Sequence, residues 1–509
     1  HGAPFAYTVE ASRVVADPAV VADPAGTALA LAGLLDVPAP ELTARLTSEG
    51  RYVVLARQVP PETTEAVEAL ELGGIFLEDD PVRVYPAGPV GGQVVGFVGR
   101  DGTGLAGVEQ RYQEQLGGTP GQRRVEVGSG GYPIPSGIDE STPAVDGSTV
   151  NLTVDRDLQY VAEQHLAEAC ADGSTTRASA VVLDAATGEV RAMATCPGYD
   201  PGAHSTTDPD LLGNPAVSGV FEPGSVLKAV TLAAALEEGV ASPDTVLTVD
   251  GSIDAGDRRV TDAYDHAPTR WTVTGILAKS SNVGTIMLAR EVGDARLERY
   301  LRAFGLGSRT GIELPGESPG ILEGSADWTA SRAANVPIGQ GVSVTTLQMA
   351  SVYQALANDG VRIPPRVVSS LTAPDGTVTP APEPPATRVV SASTARDMAY
   401  MLEAVVGEEG TAPLAQIEGF RVAGKTGTAQ RANPECGCYA GGGYVTTFTG
   451  FAPADDPRYV VAVELERPSS DAEGGQVAAP VFAGIMRQAL AADGVAPTGA
   501  ARPAFRLEG

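Results

Sequence analysis

Over the first 125 or so residues, hydrophobic and polar positions alternate in short runs that many glycines and prolines separate. Residues 52–55 form such a run, and short apolar runs between turn residues predict β-strands. A clear helical spacing of apolar positions occurs only at residues 62–72. The pattern therefore predicts an elongated, β-rich N-terminal domain.

A Gly-rich stretch at residues 127–137 and a polar segment up to residue 148 follow this region. The pattern then predicts a helix over residues 158–171 and two strands, at 178–183 and 189–195, with a Thr-Gly turn between them. Two strands joined by such a turn are typical of an antiparallel hairpin. We therefore expect a domain boundary near residue 150.

Apolar residues are spaced helically up to about residue 360, and strands return at 420–423, 446–451 and 459–465 before a last helix at 479–491. A sheet made from both ends of the domain, flanked by helices and carrying a helical insert, fits this order. The predicted fold class is α+β. The expected division of the chain is 1–150, 151–495 and a C-terminal tail, 496–509.

The charge of the chain limits its partners. The 509 residues carry a formal net charge of −28, which argues against nucleic acid because binding phosphates requires clustered Lys and Arg. The best apolar run, residues 28–37, is shorter than the roughly 18 residues that span a bilayer. Because the sequence begins at His1 without an initiator Met, we expect that an N-terminal membrane anchor is missing from it.

The four cysteines and four histidines lack the spacing of a zinc site, so we expect no metal and no cofactor. Cys170 ends the predicted helix and Cys196 ends the hairpin, so the two could form a disulfide in an oxidising compartment; two buried thiols are the alternative. Cys436 and Cys438 could form a local disulfide that stiffens a Gly-rich loop, although such tight spacing strains a bridge.

The chain contains 35 Lys and Arg residues, of which only Lys228, Lys279 and Lys425 are lysines. Lys can lose its proton when it is buried, whereas Arg cannot, so a chain that otherwise uses Arg is expected to keep Lys where an amine is required. Codon bias is the alternative explanation. The three positions are therefore candidates for chemistry.

Pro223 and Gly224 are expected to start a helix, which places Ser225 in its first turn and Lys228 on the same face three residues later. A helix N-terminus stabilises developing negative charge, and a neighbouring amine can take the proton of a serine hydroxyl. The pair is predicted to be a nucleophile and its base. The alternative is an ordinary Ser at a helix start with a solvated Lys.

A second group follows Lys279. Ser280 could relay a proton through its hydroxyl, and the amide of Asn282 could hold a substrate amide or carbonyl. Taken alone, this Ser-Ser-Asn sequence is also typical of a turn or a helix cap.

A third group begins at Lys425, at the end of the β-like run 420–423. Thr426, Gly427 and Thr428 come next, and Gly427 would let a substrate backbone approach closely. Lys425 is expected to keep the pocket cationic, which favours a neutral Lys228 and an anionic ligand group.

The motifs SxxK, SxN and KTG occur in this order and account for every lysine of the chain. In them the sequence resembles the serine penicillin-recognising enzymes and, among these, the class B penicillin-binding proteins of the cell-division type, with an actinobacterial origin. The resemblance implies a β-lactamase-like transpeptidase domain and a pedestal domain of the dimerisation type. Further segments that resemble the family are 85–88, 104–109, 180–184 with 187–190, 339–345 and 479–482, and residues 279–285 and 314–318 resemble the cell-division type.

The resemblance implies a role for each motif residue. A D-Ala-D-Ala stem peptide would acylate Ser225, with Lys228 as base. Ser280 would pass the proton toward the leaving D-alanine, and Asn282 would hold the peptide. The other implied positions are Lys425, Thr426, Gly427 and Thr428 as substrate-binding residues, with the backbone N–H groups of Ser225 and Thr428 as the oxyanion hole.

The implied activity is peptidoglycan D,D-transpeptidation in septal wall synthesis, at the extracytoplasmic face of the membrane. The partners implied are stem peptides, β-lactams, a membrane glycosyltransferase and other division proteins. One alternative is a D,D-carboxypeptidase or β-lactamase, which passes the acyl group to water; the large N-terminal domain argues against it. The other alternative is a β-lactam-binding sensor or scaffold without turnover.

Overall fold

The computed structural model describes residues 2–128, 134–256, 258–431, 433, 436, 438–467 and 473–509. Part of the Gly-rich stretch predicted at 127–137 therefore lies outside the described residues. Among the helices within the described ranges, none is both long and apolar enough to cross a membrane.

The first part of the chain builds its own small core. Its elements in order are β1 (Tyr7–Val9), β2 (Ser12–Ala16), α1 (Pro24–Leu35), α2 (Ala39–Leu46), β3 (Val53–Val59), α3 (Pro61–Glu68), β4 (Ile75–Asp79) and β5 (Val82–Val84). Strand β2 pairs antiparallel with β3 on one side and β4 on the other. Val14, Leu31, Leu42 and Leu55 are fully buried in the layer between this sheet and the helices.

Helices α1 and α2 were not expected, because the pattern predicts a helix only at 62–72, where α3 lies. Helix α1 consists almost entirely of small and apolar residues, so it lacks the polar face by which a surface helix is recognised. Its start follows the usual rules, since the Asp23 side chain accepts the N–H of Gly26 and Pro24 opens the helix. The region is rich in sheet, as predicted, but helices cover that sheet.

The following segment leads to the larger part of the molecule. Its elements are α4 (Gly92–Val95), α5 (Gly107–Arg111), α6 (Gln113–Leu116), β6 (Gln122–Val125) and β7 (Asp139–Thr142). Strands β6 and β7 form a two-stranded ribbon. Val94 and Val108 are buried in the large core, and the N–H of Gly91 donates to Glu163 at 2.8 Å. Residues 91–108 are thus packed onto the second half of the chain.

The remaining chain forms a sheet with a helical insert. Its elements up to residue 406 are β8 (Thr149–Leu152), α7 (Arg156–Cys170), β9 (Arg177–Asp184), β10 (Val190–Cys196), α8 (Pro215–Ser218), α9 (Lys228–Glu237), β11 (Val246–Val249), β12 (Ser252–Ala255), β13 (Arg258–Thr261), β14 (Thr269–Thr272), α10 (Val273–Ala278), α11 (Asn282–Val292), α12 (Asp294–Ala303), α13 (Ala330–Asn335), α14 (Thr346–Ala357), β15 (Val361–Arg362), β16 (Val368–Thr372), β17 (Val378–Pro380), β18 (Thr387–Arg388) and α15 (Ala392–Val406). The last elements are β19 (Ala423–Gln430), β20 (Tyr444–Ala452), β21 (Tyr459–Arg467) and α16 (Gly474–Ala492).

The main sheet has five antiparallel strands in the order β10-β9-β21-β20-β19, so both ends of this region contribute to it, as the pattern predicts. Phe448 of β20 contacts Phe482 of α16, with ring centroids 4.6 Å apart. On the other face, Ser179 of β9 hydrogen-bonds Thr346 of α14 at 2.6 Å. The sheet therefore lies between two helical layers, which confirms the α+β class.

Strand β19 differs from the prediction. It runs over Ala423–Gln430 rather than 420–423, so Lys425 lies inside the strand and pairs with Thr449 of β20. The segment consists largely of Gly, Thr and Ala, which carry no strong alternation of apolar and polar positions. As the last strand in the order of the sheet, β19 has one edge that pairs with no other strand of the described residues. That edge faces the segment around Ser225.

The C-terminal residues pack beside the helical insert. Leu507 is 9% exposed and contacts Ala278 and Ala404. The hydroxyl of Thr272 donates to the carbonyl of Arg506 at 2.6 Å, which places residues 505–508 against β14 and the start of α10. The end of the chain thus supports the helix that leads to Ser280.

Candidate active site

The Ser225 segment is a short 3-10 helix, Gly224–Leu227, that continues into α9 at Lys228. Gly224 has a φ of +59°, which glycine adopts at little cost, and its N–H donates to the carbonyl of Gly339 at 2.9 Å. The hydroxyl of the fully buried Tyr353 donates a hydrogen bond to the carbonyl of Val226 at 2.9 Å. Ser225 itself is half-buried, so its position is held by buried contacts while its side chain remains accessible.

Lys228 is fully buried below Ser225. Its Nζ donates to the carbonyl of Ser280 at 2.6 Å and to Oδ1 of Asn282 at 2.7 Å, and lies 3.3 Å from Oγ of Ser280. Burial lowers the pKa of Lys228 to about 7, and the charge of Asp262 partly opposes this shift. Near neutral pH a large share of the amine is therefore unprotonated and able to accept a proton.

The turn between α10 and α11 brings Ser280 and Asn282 to the amine of Lys228. Ser280 has a φ of +57°, a left-handed conformation that is uncommon for residues other than glycine. Ser281 caps α11, because its hydroxyl accepts the N–H of Gly284 at 2.9 Å. The cap reading of this motif is correct for Ser281, while Ser280 and Asn282 contact Lys228.

Lys425 lies buried on β19, and its Nζ donates to the carbonyl and the hydroxyl of Thr426 at 3.2 and 3.1 Å. Burial, and next the charge of Lys228, lower the pKa of Lys425 well below its usual value. Burial therefore acts against the predicted positive charge on Lys425, as it acts against charge on Lys228. An anionic group bound beside them would favour the charged form again.

The free edge of β19 passes very close to the Ser225 segment. A Cβ added to Gly427 would lie 2.7 Å from the carbonyl oxygen of Pro223 and 2.3 Å from Oγ1 of Thr447, distances at which atoms clash. Gly427 thus permits the close approach, as the sequence suggests. Thr428 is exposed at this edge, and its Oγ1 accepts the N–H of Gly474 at 3.1 Å.

All three motifs thus meet in one cleft, but Lys279 does not take part in it. The Nζ of Lys279 donates to the carbonyl of Glu409 at 2.8 Å, so this lysine ties the insert to the segment after α15. Sequence reasoning missed Asp262, which hydrogen-bonds the Ser280 turn from behind, and His266, which faces Asp262. No local spacing relates Asp262 to this turn, and only the tertiary fold brings them together.

The cysteines are paired in the structure, Cys170 with Cys196 and Cys436 with Cys438. The first pair links the end of α7 to the end of β10, as the predicted hairpin suggests. The loop of the second pair follows β19, and Tyr439 in it hydrogen-bonds Glu222 at 3.0 Å. Within the described residues, no group of three or more His, Cys, Asp or Glu forms a candidate metal site.

A serine beside a buried lysine of lowered pKa, a Ser/Asn turn on the same amine and an edge strand along the cleft define a serine acyl-transfer enzyme of the penicillin-recognising class. The family model for the penicillin binding protein transpeptidase domain matches residues 178–487, and the family model for the penicillin-binding protein dimerisation domain matches residues 1–152. The chain belongs to the penicillin-binding protein transpeptidases, and within them to class B.

Relatives support this membership along most of the chain. Penicillin-binding protein PbpB of Mycolicibacterium smegmatis is 47% identical over 86% of this chain and 69% of its own length. Peptidoglycan D,D-transpeptidase FtsI of Escherichia coli is 34% identical over 97% of this chain and 83% of its own length. The structure of penicillin-binding protein 3 of Mycobacterium tuberculosis with ampicillin matches with a TM-score of 0.77 and 44% identity, covering 85% of this chain and 94% of that one. The cell-division type inferred from the sequence is therefore confirmed.

Proposed function

We propose that the chain is a peptidoglycan D,D-transpeptidase that forms an acyl-enzyme on Ser225, acts in septal wall synthesis and is acylated by β-lactams at the same serine. The observation that carries the residue assignment is the contact of the buried Lys228 amine with the Ser280 and Asn282 turn. This arrangement provides a base of lowered pKa one helical turn from the nucleophile. The names of the relatives, one of them a D,D-transpeptidase, support the substrate class.

In the acylation step, Oγ of Ser225 attacks the carbonyl carbon of the penultimate D-alanine while its proton passes to Lys228. The N–H groups of Ser225 and Thr428 stabilise the negative charge that develops on the carbonyl oxygen. The C–N bond to the last D-alanine then breaks, and Ser280 passes the proton from Lys228 to the leaving amine. The product is an ester between Ser225 and the shortened stem peptide.

In the second step, the amine of another stem peptide attacks the ester carbonyl. A C–N bond forms, the C–Oγ bond breaks, and the proton of the amine returns to Ser225 through Lys228. No group is oxidised or reduced, so the reaction needs no cofactor.

The free edge of β19 suggests how the donor peptide binds. An extended peptide can pair with the backbone of an unpaired edge strand, which aligns its scissile bond with the strand direction. Lys425, Thr426 and Thr428 then lie where they can bind the terminal carboxylate, and Asn282 where it can bind a peptide amide. The anion would also raise the pKa of the buried amines, as an opposite charge does.

We also propose the wider setting of the enzyme. The domains are a pedestal at 1–150, a transpeptidase domain at 151–495 and a tail at 496–509; the separate core around Leu31 and Leu55 supports the first of these. The enzyme acts outside the membrane, where peptidoglycan lies, and is held there by an N-terminal anchor. Its partners are a membrane glycosyltransferase and other division proteins.

The test is the intact mass of the protein before and after incubation with a penicillin. The wild type is expected to gain the mass of one penicillin, and Ser225→Ala to gain none. Ser218→Ala is the control, because Ser218 lies on helix α8, is exposed, and its hydroxyl donates to the carbonyl of Asn214 rather than contacting the three motifs. An adduct on Ser225→Ala would refute the nucleophile assignment.

The alternatives give other outcomes. A β-lactamase would lose the adduct within minutes and accumulate opened penicillin. A carboxypeptidase would release D-alanine from a stem peptide at a rate that an added acceptor amine does not change. A sensor would keep the adduct but release no D-alanine. A transpeptidase is expected to release D-alanine and form the cross-linked dimer when the acceptor is present.

A further inference from the structure

Asp262 follows β13 and is almost completely enclosed, with a side chain that is 3% exposed. Its carboxylate accepts four hydrogen bonds. Oδ1 accepts the backbone N–H groups of Asn282 and Val283 at 2.5 and 3.0 Å. Oδ2 accepts the hydroxyl of Ser281 at 2.8 Å and faces Nε2 of His266 at 2.9 Å. Asp262 is thus hydrogen-bonded through both of its carboxylate oxygens.

Three of these four donors belong to the turn that contacts Lys228. The N–H groups of Asn282 and Val283 lie at the N-terminus of helix α11, where N–H groups have no partner within the helix and the helix dipole stabilises a negative charge. Asn282 is also held by its amide, since Nδ2 donates to the carbonyl of Thr261 at 2.8 Å. Its Oδ1 is then left to accept from Lys228. Asp262 thus holds the turn in the conformation that brings Ser280 and Asn282 to the amine.

His266 holds Asp262 from the other side. Its ring lies 4.7 Å from that of Trp271 and is 10% exposed. Nε2 faces the Asp262 carboxylate and Nδ1 faces the carbonyl of Ala267 at 2.8 Å. Both neighbours only accept hydrogen bonds, so both ring nitrogens are satisfied only when each carries a proton. The geometry points to an imidazolium paired with the carboxylate.

The charged and titratable groups around His266 agree with this protonation. Burial lowers the pKa of His266, but the hydrogen bonds to Asp262 and Ala267 and the charges of Asp262 and Asp250 outweigh burial, so the pKa is raised. Tyr264 is the other titratable neighbour, with its ring 6.3 Å away. On the far side of Asp262 lies Lys228, whose pKa the Asp262 charge raises against the effect of burial.

We propose that Asp262 and His266 are a positioning pair for the acylation of Ser225: they fix the Ser280 and Asn282 turn against Lys228 and set the charge next to its amine. The inference rests on the proposed function, in which Lys228 is the base. Neither residue touches the substrate. Their effect on the reaction passes through the position of the turn and the protonation of Lys228.

The charges of Asp262 and His266 predict opposite shifts in the pH dependence of acylation. The acylation rate is expected to rise with pH as Lys228 loses its proton, and we call this rising part of the pH profile the acidic limb. Asp262→Asn removes a negative charge near Lys228, so the pKa of the amine falls and the acidic limb moves to lower pH. His266→Gln removes a positive charge from the same neighbourhood, so that limb moves to higher pH. A role in folding alone would change the amount of active protein but not move the limb.

The experiment measures the second-order rate of acylation by a fluorescent penicillin between pH 5 and 9, together with the thermal midpoint of each variant. Asp262→Asn is expected to slow acylation about 10- to 100-fold at pH 8, because the turn loses hydrogen bonds to a charged group. Asn has nearly the shape of Asp and can donate to His266 in its neutral form, so the fold is expected to persist.

The matched control is Asp184→Asn. Asp184 is also buried, accepts the N–H groups of Ala186 and Thr187 at 3.0 and 2.9 Å, and pairs with Arg458 at 2.7 Å. It lies at the end of β9, and none of these contacts reaches the three motifs. The control is expected to lower the thermal midpoint but to leave the position of the acidic limb unchanged.

Two results would contradict the proposed role of Asp262 and His266. Acylation of Asp262→Asn within twofold of the wild type, or an acidic limb that stays in place in both variants, contradicts the proposal. If Asp262→Asn does not fold, His266→Gln decides alone, because it leaves the carboxylate and its three bonds to the turn intact. Failure of the proposed function is distinguishable, since the wild type would then either take up no penicillin or form no cross-linked dimer from stem peptides, whatever the two variants do.

Discussion

At the residue scale, burial explains why lysine is used at two positions of the cleft. Lys228 and Lys425 are both fully buried, and burial lowers the pKa of each. Arg in their place would stay charged and could not accept a proton. Lys279, which lies outside the cleft and pairs with the Glu409 segment, shows that rarity alone does not place a lysine at the site.

The pKa of about 7 for Lys228 predicts the pH dependence of acylation. The amine acts as base only when it is unprotonated, so the acylation rate of Ser225 is expected to rise with pH through about 7 and to level off above it. Below that value one proton must be lost, so the rate falls about tenfold per pH unit. Stopped-flow measurement of penicillin acylation from pH 5 to 9 checks this. A rate that is flat across this range would contradict the assignment of the base.

At the element scale, the cleft depends on how close the edge strand β19 lies to the Ser225 segment. A Cβ on Gly427 would lie 2.7 Å from the carbonyl oxygen of Pro223, which requires the backbone to move, and a Cβ on Gly224 would lie 3.3 Å from the carbonyl oxygen of Thr428. The oxyanion hole proposed for the N–H groups of Ser225 and Thr428 requires this short separation. The strand is thus part of the catalytic geometry as well as of the sheet.

Gly427→Ala is therefore expected to slow acylation at least tenfold by moving β19 away from Ser225, and to cost about 1–3 kcal/mol of stability through overpacking. Gly213→Ala serves as control, because a Cβ there meets nothing within 4 Å and the residue does not have a positive φ. Acylation rate and thermal midpoint are the measurements. A Gly427→Ala variant as active as the control would show that the separation is not critical.

At the scale of the whole molecule, distant parts of the chain support the cleft. Residues 91–108 pack on the large core, and the C-terminal segment packs beneath α10, the helix that leads to Ser280. Leu507 of this segment packs against Ala278 and Ala404, and Phe505 packs against the same cluster. The segment is therefore expected to contribute to the stability of the helical insert.

Leu507→Ala is expected to lower the free energy of unfolding by about 2–3 kcal/mol, because a buried leucine leaves a cavity when truncated. Leu414→Ala is the control, since Leu414 is 48% exposed and its loss should cost less than about 0.5 kcal/mol. Denaturant unfolding followed by circular dichroism measures both. Equal stability of the two variants would mean that the segment does not support the insert.

The sequence by itself determined the chemistry and most of the sheet. Ser225, Lys228, Ser280 and Asn282 could be found because their motifs are short and local, and the hairpin could be found because two β-rich runs flank a short Thr-Gly turn. Helix α1 could not, because a run of small apolar residues has no periodic polar face. The sequence pattern placed strand β19 too early in the chain, because its Gly, Thr and Ala residues do not alternate between apolar and polar.

Only the tertiary structure decided how these residues work. Residues 54 positions apart, Lys228 and Asn282, meet in one hydrogen bond, and the depth of their burial sets the pKa of the amine. Asp262 reaches the same turn without any sequence signal, because it is hydrogen-bonded by residues 19 to 21 positions away, and His266 in turn faces Asp262. The local sequence pattern indicates which chemical groups are present. Their reactivity depends on distance, burial and neighbouring charge, and these arise only when the chain is folded.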